Sequence, residues 1–233
     1  LLATDPDCDR VGVAVKGPNG YALITGNEMG TLLLDFVCKM RRKAGKMPEK
    51  PVAVKTIVTT PMAAQIAAHY GVELRDVLTG FKFIGEQIGH LEKEGCLDRY
   101  IFGFEESYGY LSGGFVRDKD AVNASLLICE MFAYYKNEGK GFLDVLNELY
   151  RKYGFYQSRL LTFSFEGSIG LSKMKALMKA LREQCPQEVA GYSIEAVGDY
   201  QQSLLSRRNG EFEAINLPKS NVLRFFISEG HEA

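Results

Sequence analysis

Val11, Val13 and Val15 alternate with small or polar residues, a period-two pattern that predicts a half-buried strand. Pro18-Asn19-Gly20 is a turn sequence and Tyr21 to Ile24 resumes the apolar pattern, so the two segments predict a hairpin. Ahead of them, Leu1-Leu2-Ala3 reads as the end of a buried strand. Asn27 is placed to cap a helix that runs to about Lys43, with Lys39, Arg41, Arg42 and Lys43 in its last turns, where the helix dipole favours cations. Lys46 to Lys50, marked by Pro48 and Pro51, predicts a linker.

A new unit begins at Val52. The apolar run 52–58 is strand-like, Thr60-Pro61 opens a helix with Thr as cap and Pro at the first position, and Gly71 closes it. Residues 74–78 predict a short strand, 81–94 a helix, 100–104 a strand, 120–137 a long amphipathic helix and 142–153 another. Strands alternating with helices imply an α/β fold with a mixed or parallel sheet and flanking helices, in which ligands sit at the carboxyl ends of strands. Three turns there are unusual: Thr79-Gly80-Phe81-Lys82, the segment Gly103-Phe104-Glu105-Glu106-Ser107-Tyr108-Gly109-Tyr110, and Val116-Arg117-Asp118-Lys119-Asp120. From Phe155 the pattern changes to a strand-like 159–165, a helix over 171–184, a strand near 192–197 and a hairpin-like end through Asn209-Gly210 and 222–227. That is the pattern of a partial α+β domain.

Composition narrows the class of partner. The chain has 233 residues, 46% hydrophobic and 24% charged, with a formal net charge of −1. That is a globular profile with no electrostatic case for nucleic acid or a membrane surface, and it leaves a small molecule as the expected substrate. No apolar stretch of the roughly 18 residues that a membrane-spanning helix needs is present. Five cysteines, at 8, 38, 96, 129 and 185, form no C-x-x-C pair, which fits a reducing cytoplasm better than a disulfide framework.

The strongest chemical signal is Asp5-Pro6-Asp7-Cys8-Asp9-Arg10. Three carboxylates at alternating positions suit a hard divalent ion such as Mg²⁺, which takes a few oxygen ligands and keeps positions for water and phosphate. A calcium-binding helix-loop-helix would carry Gly at its sixth position and Glu at its twelfth, where Arg10 and Lys16 stand. An acidic surface turn in which the aspartates cap one another is the other reading of the hexapeptide.

Taken in order, the Asp5–Arg10 loop, Thr79-Gly80-Phe81-Lys82, Gly103-Phe104-Glu105-Glu106-Ser107-Tyr108-Gly109 and Arg117-Asp118-Lys119-Asp120 resemble the α-D-phosphohexomutases, in particular the phosphoglucomutase and phosphomannomutase branch. The resemblance implies a four-domain architecture in which 1–25 end the metal-binding second domain, 26–154 form the sugar-binding α/β third domain and 155–233 part of the α+β fourth. It further implies an internal fragment, without the first domain's phosphoserine loop and without the fourth domain's phosphate-binding loop. Leu217-Pro218-Lys219-Ser220-Asn221-Val222 resembles the stretch shortly before the latter.

The chemistry that the resemblance implies is a 1,6-phosphate shift, in which a phosphoserine gives its phosphoryl group to a hexose phosphate and the bisphosphate reorients and returns the other. Asp5, Asp7 and Asp9 would hold one Mg²⁺ and Arg10 would add donors to the transferring phosphate. Glu105 and Ser107, two apart at a strand end, resemble the pair that holds sugar hydroxyls. Some family members have a His near Tyr110; here the acid/base role falls on Lys119 within Arg-x-Lys-Asp. Lys82 and Arg117 would contact phosphate or hydroxyls, and Thr79 and Gly80 would shape the turn that distinguishes hexose orientations. Glu106, on the alternate side, would be structural. The expected cofactors are Mg²⁺ and a sugar 1,6-bisphosphate intermediate, the partner a hexose phosphate, and the location cytoplasmic.

Two other readings accompany this one. One is a non-catalytic module that binds metal and sugar phosphate; the other is a phosphatase-like Mg²⁺ enzyme with an Asp nucleophile. Against the last, the valine strand starts immediately after Arg10, where such an enzyme needs a backbone cradle. His69, His90 and His231 fall outside the motifs and read as surface or helix residues, and Phe81, Phe83 and Ile84 as core.

Overall fold

Val11 and Val13 are buried and the alternating Gly12 and Ala14 less so, and the alternation produces the strand it predicts. The computed structural model describes residues 1–17 and 19–228 and the backbone of 231–232. The strands β1 (Leu2–Thr4), β2 (Val11–Gly17) and β3 (Gly20–Ile24) form an antiparallel sheet in that order; Pro18 of the expected turn lies outside the described residues. β1 is not the buried strand expected: it pairs with β2 on one side alone, and Leu1 and Leu2 are exposed.

Helix α1 (Gly26–Lys43) follows at once. Its cap is Thr25, not Asn27: Thr25 and Glu28 form a capping box, the hydroxyl accepting from the Glu28 amide at 3.3 Å and the Glu28 carboxylate from the Thr25 amide at 2.8 Å. Asn27 instead reaches across, its Oδ1 accepting from the Thr60 amide at 3.0 Å.

The second sheet runs β5 (Glu73–Val77), β4 (Val52–Thr56), β6 (Tyr100–Phe104), β7 (Tyr110–Leu111). β4 is parallel to both neighbours and β7 antiparallel to β6. Central β4 is buried throughout, as a strand covered on both faces must be. Its Ala53 joins a core with α1, α2 (Met62–Tyr70), α4 (Ala121–Asn137) and α5 (Phe142–Tyr153), whereas Val52 and Val54 face a second core under α3 (Phe81–Lys93). Phe81 and Ile84 are buried in that second core and Phe83 packs against it. At the start of α2 Pro61 takes helical dihedrals, and the Thr60 hydroxyl accepts from the Met62 amide at 3.3 Å. Gly71 ends the helix in the left-handed region, at φ 69°.

The chain divides into two compact units, Leu1–Ser158 and Arg159–Ala233. In the second, residues 159–165 form no strand, contrary to the alternation: their side chains are exposed, with Leu160 at 86% and Phe163 at 74%, and no neighbour among the described residues supplies a hydrogen-bonding edge. Helix α6 (Gly167–Glu183) starts four residues earlier than expected. Its antiparallel sheet runs β11 (Phe212–Ala214), β10 (Leu204–Arg207), β9 (Tyr192–Asp199), β12 (Leu223–Ile227), β13 (His231–Glu232), with β8 (Glu188–Val189) also paired to β9. All five cysteines are free. Among the described residues no helix is long and apolar enough to cross a membrane.

Candidate functional site

The Asp5–Arg10 loop is wound by its own backbone. Asp5 Oδ1 accepts from the amides of Asp9 at 3.1 Å and Arg10 at 3.0 Å, and the Cys8 amide donates to the Asp5 carbonyl at 3.0 Å. The Arg10 amide holds the Asp5 carboxyl below the ordinary carboxylate range, against the opposing effect of desolvation. Cys8, at φ 57°, takes the left-handed conformation that so tight a turn demands. One carboxylate oxygen from each of Asp5, Asp7 and Asp9 then lies within 4.8 Å of the others. Acidic surface turns reach such spacing without an ion, so the more telling atom is Asp9 Oδ1, which is buried with no hydrogen-bond partner among the described residues. A buried carboxylate oxygen without a hydrogen bond, 3.9 Å from Arg10 Nε and in one loop with two further carboxylates, suits a hard divalent cation in charge and ligand type.

The loop is fastened to the other motifs. The Val11 amide donates to the Tyr108 carbonyl at 3.2 Å, Arg10 and Gly109 form an antiparallel bridge, and the Ala121 amide donates to the Cys8 carbonyl at 3.2 Å. Lys119 Nζ meets Asp9 Oδ2 at 2.7 Å and Asp118 at 3.4 Å. Desolvation lowers the Lys119 ammonium's affinity for its proton, but Asp9 and Asp118 together outweigh it and the net direction is upward. Lys119 is therefore held as a cation.

Glu105 and Glu106 leave the end of β6 on opposite sides. Glu105 is buried; its Oε1 accepts from the Gly80 amide at 2.9 Å, and the loop closes through the Glu105 amide on the Gly109 carbonyl at 2.9 Å. Burial pushes its carboxyl up, with the Gly80 hydrogen bond acting in the other direction. Gly109 leaves room there: a Cβ would stand 2.7 Å from Lys119 Cδ and 3.3 Å from Glu105 Oε2, so the lysine side chain would have to shift. Ser107 is half-buried beside them and Tyr108 turns the chain at φ 69°.

Asp5, Asp7, Asp9, Arg10, Gly80, Glu105 and Lys119 are thus gathered by contacts within and between their loops, with Ser107 in the same loop as Glu105. Thr79 is exposed next to Gly80. Lys82 lies over the Phe83 ring at 4.8 Å. Arg117 is engaged elsewhere, donating to Glu92 at 2.7 Å and to the Gly114 and Val116 carbonyls at 2.6 and 3.2 Å. Tyr110 is fully buried in the core, its hydroxyl without a partner among the described residues. His69 and His90 sit on α2 and α3; the His231 side chain lies outside the described residues.

Sequence reasoning passes over a set of residues at the end of β4. Lys55 is buried, with Nζ 3.0 Å from Asp76 and donating to the Thr56 and Thr59 carbonyls at 3.1 and 3.2 Å. The hydroxyls of Thr56 and Thr59 donate to Glu106 Oε2 at 3.0 and 3.1 Å. A lysine inside an apolar run is the available signal, since a buried ammonium needs partners.

Comparison with known proteins settles the class. The family described as phosphoglucomutase/phosphomannomutase, alpha/beta/alpha domain III, matches residues 25–153, more than half of the chain. The chain belongs to this phosphohexomutase family. It is 35% identical over 232 residues to a phosphoglucomutase of Staphylococcus epidermidis, and 37% identical over the same length to one of Staphylococcus aureus strain USA300. In both cases 99% of the chain is covered but only 41% of the relative, so the chain spans about two fifths of their length. Among solved structures, the open form of the Paramecium phosphoglucomutase parafusin is similar in fold, with a TM-score of 0.57 at 18% identity over 99% of this chain and 36% of that one. A Thermus thermophilus protein described as a phosphomannomutase gives 0.59 at 20% identity over 98% and 38%.

Proposed function

We propose that this chain supplies the metal-binding and sugar-binding parts of a phosphohexomutase, an isomerase that interconverts hexose 1-phosphate and hexose 6-phosphate through a phosphoserine and a hexose 1,6-bisphosphate. The observation that carries the reading is the 2.7 Å contact of Asp9 with Lys119, which draws the acidic loop and the Arg-x-Lys-Asp segment together beside Glu105. A cytoplasmic location belongs to the same proposal.

Asp5, Asp7 and Asp9 hold one Mg²⁺, which when bound neutralises charge on a phosphate in transfer. Arg10, half exposed and no closer than 3.9 Å to Asp9, has its guanidinium fork free to clamp phosphate oxygens. Glu105 accepts from a sugar hydroxyl through the oxygen not committed to Gly80, and Ser107 donates or accepts beside it. Lys119 as an ammonium donates a proton to the departing sugar oxygen and offsets phosphate charge; to act as a base it must first give up Asp9. Arg117 reaches the substrate only on releasing Glu92, while Lys82 and Thr79 border the Gly80 turn from the solvent side.

Calorimetric titration of Mg²⁺, then of glucose 1,6-bisphosphate, tests the reading. Asp7→Asn is expected to weaken Mg²⁺ at least about tenfold, the loss of one charged ligand being worth about 1.4 kcal/mol or more. Glu105→Gln is expected to weaken the bisphosphate and leave Mg²⁺ unchanged. Absence of Mg²⁺ binding by the unaltered chain would reduce the loop to an acidic turn. The 233 residues alone are expected to bind without turnover, the phosphoserine belonging to another part of the family's architecture; full mutase activity from them would overturn that.

A further inference from the structure

Glu106 does what neither of its neighbours can. Its side chain leaves β6 away from the Glu105 side and reaches the turn after β4, where Oε2 accepts from Thr56 Oγ1 at 3.0 Å and Thr59 Oγ1 at 3.1 Å. The two hydroxyl oxygens are 2.7 Å apart, and both threonines are buried. Two hydroxyl protons are thus shared among three contacts, of which the carboxylate is the one member that only accepts. Remove it, and one threonine can donate to the other while the second proton loses its protein acceptor. The turn is rigid in its own right: Lys55 Nζ ties the Thr56 and Thr59 carbonyls together, and the Thr60 amide is held by Asn27.

The backbone of Glu106 is fixed from the other side. A Cβ on Gly26, the first residue of α1, would collide with the Glu106 carbonyl oxygen and approach the Tyr108 amide to 2.9 Å. The helix start therefore presses directly on the loop. The threonine anchor and this wall hold the backbone from which Glu105 faces Gly80, with Ser107 in the same loop.

We propose that Glu106 is a positioning residue: its grip on Thr56 and Thr59 sets the orientation of Glu105 and Ser107 for sugar phosphate binding. The inference rests on the reading of Glu105 and Ser107 as sugar ligands, but the placement of Glu105 can be tested without any ligand. The Gly80 amide donates to Glu105 Oε1 at 2.9 Å, so its proton resonance reports where that carboxylate lies.

The experiment records the Gly80 amide resonance by NMR and the affinity for glucose 1,6-bisphosphate and for Mg²⁺ by calorimetry, in the unaltered chain, Glu106→Ala, Glu106→Gln, Thr59→Val and Glu105→Ala. Glu106→Ala is expected to move the Gly80 resonance toward its position in Glu105→Ala and to weaken the bisphosphate at least about tenfold, with Mg²⁺ within about twofold. Glu106→Gln, which keeps an acceptor oxygen, is expected to restore most of both. Thr59→Val, a milder lesion should Glu106→Ala fail to fold, is expected to shift the resonance in the same direction by less. An unmoved Gly80 resonance in Glu106→Ala, or in Thr59→Val if the former does not fold, overturns the proposal. Failure of the unaltered chain to bind the bisphosphate overturns the sugar reading instead, and the Gly80 response still decides the role of Glu106.

Discussion

At Asp9 the proposed divalent ion would share one carboxylate with Lys119. Oδ2 holds Lys119 at 2.7 Å, while Oδ1 has no hydrogen-bond partner among the described residues and lies 3.9 Å from Arg10 Nε. Unit charges about 5 Å apart repel by roughly 1–3 kcal/mol at the effective dielectric of a protein surface, so an ammonium beside the acidic loop would oppose the divalent ion proposed there. Lys119→Met is accordingly expected to tighten Mg²⁺ several-fold while weakening sugar phosphate, whose charge the ammonium would offset. Calorimetry of both ligands on the one variant checks this, and loss of both affinities together would mean that Lys119 serves mainly to hold the loop in shape.

Helix α1 meets the second sheet through a missing side chain. A Cβ on Gly30 would run into the ring of Phe104, which is fully buried at the end of β6. Elsewhere in a helix Gly→Ala gains about 1 kcal/mol of propensity. Here overpacking costs roughly 1–3 kcal/mol and the ring is fully buried, so Gly30→Ala is expected to lower the urea midpoint, and a raised midpoint by circular dichroism would refute the contact. Neither glycine contact of α1, at Gly26 or Gly30, is legible in the sequence, because the partners, Glu106 and Phe104, lie far along the chain, in or just after β6. The Glu106 anchor is hidden for the same reason, its threonines being 47 and 50 residues away. What periodicity and spacing report well is local: β6 and α5 at their observed bounds, and motifs whose loops prove to be neighbours. Two errors are local as well. Thr25-Gly26-Asn27-Glu28 contains a readable capping box, and its paired hydrogen bonds outweigh the single cap that Asn27 alone suggests. The apolar alternation of 159–165 describes what a strand would need, whereas a strand forms only against an available edge.

Across the unit Leu1–Ser158, four tyrosines couple stability to pH in one direction. Tyr70, Tyr100, Tyr110 and Tyr135 are buried, and the loss of water around a phenolate pushes each of them up, with the Asp35 carboxylate adding to the effect at Tyr70 and Tyr135. Burial also pushes the Cys38 thiol up, to about 12. Groups raised in the folded state stabilise it fully below their unfolded values, near 10 for tyrosine, and lose that contribution as the pH climbs toward the folded ones. Each tyrosine can remove up to about 1.4 kcal/mol per pH unit in that window, so four together rival a total stability of roughly 5–15 kcal/mol. The urea midpoint should therefore fall steeply above about pH 10 and the unit unfold before about pH 12. Tyr110→Phe isolates one contribution. Its hydroxyl has no partner among the described residues, so removing it is expected to leave the midpoint at about pH 8 unchanged or raise it by up to about 1 kcal/mol of stability, and to raise it further at about pH 11, where one proton release is abolished. Urea titrations of the chain and of Tyr110→Phe at both pH values decide the matter: an alkaline advantage no larger than that near neutrality would mean that Tyr110 ionises in the folded state as readily as in the unfolded one.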